Sequence, residues 1–425
     1  MTDGTATRNL YRPKLLTTFK EGYSAVLFRK DALAGLTVAI VALPLSMAIA
    51  VASGVSPERG LYAAIVGGAV VSLLGGSRYQ IGGPAGAFIV LVAATTARFG
   101  VDGLVLTVLL SGAMLTVLGL LGVGALIRHI PHAVTVGFTS GIAVTILASQ
   151  IRDLAGISLP GPEPGPLLPK ITALADAAGT AVPAAVIIGF GCAAMIFVLR
   201  RLRPSWPGML IAVTLAAVAT SLLRLPVETI GSRFGALPHG LPAPHLPAVD
   251  LDLVLRVLPS ALSFTLLGGV ESLLSAKVAD GMTGRKHRSN MELVAQGVAN
   301  IASALFGGIS VTGTIARTAD NVRAGASSPV SGIMHAVFLL AFLLVAAPLA
   351  AYVPLSSLAG VLLVVCWNMA EKEEFARLLR EWRGAAVLLA TFGLTLLEDL
   401  TTGIIAGCGV AALLALLRRK TPEEP

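Results

Sequence analysis

Two charged residues stand alone in strongly apolar surroundings, Arg317 and Glu271. An arginine at bilayer depth costs about 2.5–3.5 kcal/mol on insertion scales, so it must face protein, water or a ligand. Arg317 follows Gly307-Gly308-Ile309-Ser310-Val311-Thr312-Gly313-Thr314, a run of glycines, β-branched residues and hydroxyls. Such a run is a poor start for a full-length spanning helix. It predicts extended chain leading into a short helix, a broken element over 312–322, with Arg317 about one turn in. Non-helical backbone at that depth is tolerated only where it is buried or lines a cavity. A helix N-terminus carries partial positive charge, and an arginine beside it completes a natural seat for an anion. The competing reading has Arg317 snorkelling to the interface or paired with a structural carboxylate.

An earlier stretch echoes this one. Gly75-Gly76 corresponds to Gly307-Gly308 at an offset of about 232 residues, which lays Pro84-Ala85 on Ala316-Arg317. Residues 79–83 are expected to be extended and 84–98 to form a second short helix, with Pro84 in its first turn, where a missing N–H costs nothing. Paired glycine- and proline-interrupted segments in two halves point to a transport site. The backbone donors at Gly86, Ala87 and Phe88, and at Ile315, Ala316 and Arg317, would coordinate the anion. Glu271 lies mid-span next to Gly268-Gly269. Protonation relieves the cost of burying its charge, which suits it to carry a proton alongside the anion. Ser275 sits one turn on, on the same helix face.

These residues need a membrane scaffold. The chain has 425 residues, 55% hydrophobic and only 13% charged, with mean hydropathy +0.84. A soluble domain carries about 25% charged residues, and here apolar runs of about 20 residues recur throughout. Spans are expected near 31–53, kinked at Pro44, and at 60–74, 104–121, 133–150, 182–199 and 209–222, with the short third helix between the second and fourth. A second set follows at 253–278, 293–306, the broken 312–322, 330–347, 355–370, 385–397 and 401–417. The fold class is therefore all-α and polytopic, with fourteen segments as seven plus seven. An odd number per half inverts the second half in the membrane. The domain reading is a leader over 1–30 with an interfacial helix over 15–28, a first repeat over 31–224, a proline-rich extracytoplasmic linker over 225–252, a second repeat over 253–417 and a tail over 418–425. Residues 158–170 read as a proline-rich surface loop. The mixed-charge stretch 371–383 reads as a solvated connector, and Glu398-Asp399 as a loop and cap.

The net charge of +8 does not signal nucleic acid in such a chain. Basic residues gather before the first span and after spans six, eight and fourteen, which puts both termini in the cytoplasm of a cell inner-membrane, multi-pass protein. The leader shows no apolar core with a cleavage site. Cys192, Cys366 and Cys408 lie far apart in apolar segments, and the six histidines are scattered. No cofactor, metal site or catalytic constellation is expected, and an enzyme is excluded.

Several motifs resemble the sulfate permease (SulP) family of anion transporters. They are Ala42-Leu43-Pro44-Leu45-Ser46-Met47-Ala48, Gly60-Leu61-Tyr62, Gly82-Gly83-Pro84-Ala85-Gly86, Glu271-Ser272-Leu273-Leu274-Ser275, Ser289-Asn290-Met291-Glu292-Leu293 and Thr314-Ile315-Ala316-Arg317-Thr318. They span both halves in order. The resemblance implies a UraA-like fold of two inverted repeats, divided into core and gate domains, with the half-helices of segments three and ten meeting around the anion. It adds Leu45, Ile49 and Ala85 to the substrate-binding set. Animal members carry a glutamine at the position of Leu45 and an aromatic at those of Ile49 and Ala85, so this pocket should be roomier and less suited to halide. Family members usually carry a cytosolic STAS domain after segment fourteen, and the sequence stops at Pro425 without one. In bicarbonate-transporting relatives an aspartate at the position of Glu271 helps hold sodium, and Ser275 belongs to the same coupling site.

The expected function is secondary active transport of a small inorganic or organic anion of the sulfate, bicarbonate or dicarboxylate class by proton symport. Sodium-coupled bicarbonate symport and uncoupled exchange or conduction remain alternatives. A nucleobase permease shares the fold and a segment-eight glutamate, but a neutral base gains little from Arg317. The expected partners are the anion, a proton or sodium ion and the lipid bilayer, with a homodimer left open.

Overall fold

The computed structural model describes residues 11–124, 131–161, 163–164, 167–204, 206–247, 250–398 and 400–420. The start of the leader, Asp399 and residues 421–425 lie outside these.

A seven-residue helix α1 (Lys14–Lys20) precedes the first span. The expected single helix over 15–28 does not form, because the chain turns at Gly22 with φ +90°. The first span α2 (Ala25–Ala52) then begins, capped by Ser24 and containing Pro44. Next comes α3 over 57–74, which is α-helical at Pro57–Tyr62 and Gly68–Leu74 with a π-helical turn at Ala63–Gly67 between them. Gly86–Phe88 opens as a 3₁₀ turn. Gly100, at φ 71° and ψ −175°, breaks the long helical run beginning there into α4 (86–99) and α5 (101–120). The remaining elements are α6 (His132–Ala155), α7 (Leu167–Asp176), α8 (Pro183–Leu202), α9 (Gly208–Leu222), α10 (Ile230–Phe234), α11 (Leu251–Thr283), α12 (Ser289–Leu305), α13 (Ile315–Arg323), α14 (Val330–Ala350), α15 (Leu355–Met369), α16 (Lys372–Leu379), α17 (Trp382–Leu397) and α18 (Leu400–Lys420).

The helices pack in two groups. The first is α2 to α5 with α11 to α14, and its densest contact is between α5 and α12. There Gly112 and Gly297 face each other, and a Cβ on Gly297 would stand 2.6 Å from the Gly112 carbonyl oxygen. Small residues allow this close approach, which in lipid must rely on packing rather than a hydrophobic drive. The second group is α6, α8, α9, α15, α17 and α18. Asp31, fully buried at the start of α2, accepts from the backbone N–H groups of Ser327 and Ser328 and from the Tyr23 hydroxyl. It thereby ties α2 to the start of α14.

Three more expectations change. Pro84 is not in the helix: the first helical residue is Gly86, after the extended Ala85. The two half-helices therefore begin at Gly86 and Ile315, which are 229 residues apart rather than 232. The loop over 158–170 gives way to α7, where Lys170 is buried with its ammonium 2.7 Å from the Ser149 hydroxyl and 3.0 Å from Glu163.

Candidate anion site

The two interrupted segments meet directly. Strand β1 (Gly82–Gly83) pairs antiparallel with β2 (Thr312–Gly313), in the register Gly82↔Gly313 and Gly83↔Thr312. Extended backbone at this depth needs partners, and neighbouring side chains supply them. Asn300 donates to the Val311 carbonyl at 2.7 Å and accepts from its N–H at 2.9 Å. Ser303 donates to the Ile309 carbonyl, and Gln80 donates to that of Ser272. The Ile81 N–H donates to the Thr318 hydroxyl. The strands approach so tightly that a Cβ on Gly313 would overlap the Gln80 amide.

This staple aims the N-termini of α4 and α13 at one cavity of about 150 Å³. The first-turn amides of a helix have no intrahelical partner, and here the first-turn residues Gly86, Ala87, Ile315 and Ala316, three of them small, line the cavity. The Phe88 amide bonds back to the Ala85 carbonyl at 3.1 Å. Its ring turns away to pack edge-on against Phe264, with centroids 5.4 Å apart. Phe88 is therefore buried beside the site rather than lining it.

Arg317 also lines the cavity, with 1% of its surface exposed. One guanidinium nitrogen donates to the Pro84 carbonyl at 2.8 Å, while Nε and Nη1 have no partner. Among the described residues no carboxylate lies within 4.0 Å of it. Its Nη1 sits where a Cβ on Gly83 would be, at 2.3 Å. Glu271 faces the same space, and its Oε2 is buried without a partner. Ser275 lies one turn on, outside the lining, and donates to the Thr318 hydroxyl at 3.0 Å. Leu45, Ile49 and Ala85 complete the core side of the cavity.

The opposite wall escaped the sequence reading. It includes Val134, Thr135, Phe138 and Thr139 on one face of α6, Val365 and Met369 at the end of α15, and Ile404 on α18. Nothing in an apolar helix marks which face meets a cavity and which meets lipid. Glu371 corrects an expectation outright: it lies within the stretch read as a solvated connector, yet it lines this cavity. Partial burial pushes its carboxyl above the ordinary range, with His132 opposing and Glu374 adding to the shift.

A sulfate permease family model matches residues 28–391. The chain belongs to the sulfate permease family. It is 42% identical over 402 residues to the putative sulfate transporter YvdB of Bacillus subtilis, covering 94% of this chain and 75% of that protein. It is 30% identical over 406 residues to the bicarbonate transporter BicA of a Picosynechococcus species, covering 92% and 70% respectively. The transmembrane domain of a cyanobacterial bicarbonate transporter BicA superposes with a TM-score of 0.82 at 29% identity, over 90% of this chain and 98% of that one. Murine solute carrier 26 family member A9, in an inward-facing state, matches with a TM-score of 0.87 at 16% identity over 99% and 73%, which is a likeness of fold. The protein is thus a multi-pass membrane anion transporter with the fourteen-segment sulfate permease fold, and it is not an enzyme.

Proposed function

We propose that the protein is a secondary active transporter that moves a small oxyanion together with a proton. The observation that carries this reading is the shared cavity: an arginine with two unpartnered nitrogens, two helix N-termini and a carboxylate with an unpartnered oxygen all face it. The anion accepts from the first-turn amides around Gly86 and Ile315 and pairs with Arg317. Glu271 takes up a proton when the anion enters, so that the loaded site crosses with less net charge. The helix group containing α4 and α13 carries the site as a core, and the group containing α6 and α15 acts as the gate against which it moves. Both termini lie in the cytoplasm of an inner-membrane protein, following the basic residues that flank the spans. The relatives named for sulfate and for bicarbonate keep both anions in the substrate class, with dicarboxylates beside them.

Sodium coupling is the second reading. It rests on the hydroxyls of Ser272, Thr312, Ser275 and Thr318, which form two hydrogen-bonded pairs within a turn of Glu271. Uptake into proteoliposomes separates the two. Acid outside should drive accumulation of sulfate or bicarbonate, and Glu271→Gln should abolish that accumulation while anion binding survives. With one proton per anion, each pH unit sustains about a tenfold gradient, or about 1.4 kcal/mol. A Glu271→Gln protein that still concentrates anion under a pH gradient would remove Glu271 as the carrier. Uptake that follows sodium and ignores pH would favour the second reading.

A further inference from the structure

Among the described residues, Glu371 is the one cavity-lining charge that the transport scheme leaves unused. It is a carboxylate on the wall of an anion's route, contributed by the gate group, whereas Arg317 and Glu271 stand on the core group. Among the described residues no cation lies within 4.0 Å to neutralise it. The nearby cations are engaged elsewhere. Lys372 stands over the Trp367 ring at 3.2 Å. Arg377 and His132 are paired with Glu374, at 2.6 and 3.4 Å.

The charges around the cavity then nearly cancel. Each helix N-terminus is worth about half a positive unit, so the two together offset about one carboxylate, and Arg317 offsets the other. If Glu271 takes a proton on loading, about one positive unit is left over. That matches a monovalent anion and leaves a divalent one carrying a full uncompensated charge.

We infer that Glu371 is a specificity-determining residue that biases the transporter toward monovalent oxyanions, of the bicarbonate or nitrate type, over divalent ones such as sulfate. The inference rests on the reading of this cavity as the anion site. Its quantitative signature is independent of distance and dielectric. The interaction of one fixed charge with a ligand scales with the ligand's charge. Removing the Glu371 charge must therefore change the logarithm of affinity twice as much for a dianion as for a monoanion.

The experiment titrates nitrate and sulfate into purified protein at pH 8 and low ionic strength, comparing wild type with Glu371→Gln, Glu371→Lys and Glu374→Gln. For Glu371→Gln the expected gain is about threefold for nitrate and about tenfold for sulfate, from Coulomb's law at an effective dielectric between those of water and of the protein surface. Glu371→Lys doubles the charge change, so both gains should square. The series also stands on the lysine variant alone if the glutamine variant folds poorly. Glu374→Gln frees Arg377 and His132, which Glu374 otherwise holds, to screen Glu371, and should raise both affinities by less than Glu371→Gln does, again more for sulfate than for nitrate. Equal gains for the two anions, or none, would overturn the inference; if Arg317→Ala still weakens binding, the anion site itself stands. Affinities indifferent to both Glu371 and Arg317 would overturn the inference and the site together.

Discussion

The two half-helices that face the cavity are built differently for the same task. The first, α4, opens on Ala85-Gly86-Ala87, with a 3₁₀ turn and no polar side chain at its tip. The second, α13, opens on Thr314 and carries Arg317 in its first turn. One arm therefore offers an anion only backbone dipole; the other adds a full charge. The arms are also linked across the gap, because Arg317 donates to the Pro84 carbonyl just ahead of α4. The contrast teaches that a single arginine reaches both arms: it tethers one through the Pro84 carbonyl and, in the proposed function, is the ligand partner on the other.

The largest expected effect tests the charged arm. Arg317→Ala should weaken anion binding by about 2–5 kcal/mol, the usual cost of removing a desolvated charge partner. Arg317→Lys should recover part of it, since the charge survives but the planar fork does not. Titration in detergent with a parallel thermal melt separates the roles. Unchanged affinity in a destabilised Arg317→Ala protein would make Arg317 a tether alone.

Next comes Gly83, whose Cα lies against the guanidinium. A Cβ there would meet Nη1 at 2.3 Å, so Gly83→Ala should displace Arg317 and cost about 1–3 kcal/mol, as overpacking does. The loss should show in both anion affinity and melting temperature. An alanine variant with wild-type affinity would mean that the guanidinium position is not critical.

The smallest effect belongs to the dipole arm. At Gly86 an added Cβ meets nothing nearer than the Met369 sulfur at 3.4 Å. Gly86→Ala should leave the melting temperature unchanged and reduce anion affinity by less than about tenfold, because one methyl narrows the approach to the amides without removing them. A loss as large as that of Arg317→Ala would reverse the ranking of the two arms.

Much of the site was legible in the sequence because the membrane makes exceptions conspicuous. A double glycine within an apolar run, an isolated arginine and an isolated glutamate all break the rule for a spanning helix; the two charges line the cavity, and the glycines mark the breaks that lead to its helix tips. Most of the residues singled out do line it, including Leu45, Ile49, Ala85, Gly86, Ala87, Ile315 and Ala316. Finer geometry was not legible. Pro84 suits a first helical turn, but here it precedes the helix, with its carbonyl accepting from Arg317. Phe88 and Ser275 fall within the right segments yet point into helix contacts. Glu371 sits in a charged run indistinguishable from a solvated one, and only the packing of α16 beside α6 brings it to the cavity.

The two-residue pairing of β1 with β2 has a mechanical consequence. Four residues joined edge to edge turn two separate hinges into one lever, so a displacement that carries α13 drags the start of α4 along. In the proposed function, an anion seated between the tips would be gripped by both jaws or by neither. Release would then be a single event rather than a peeling of one contact after another, and a lesion in the strand pairing would loosen both jaws together.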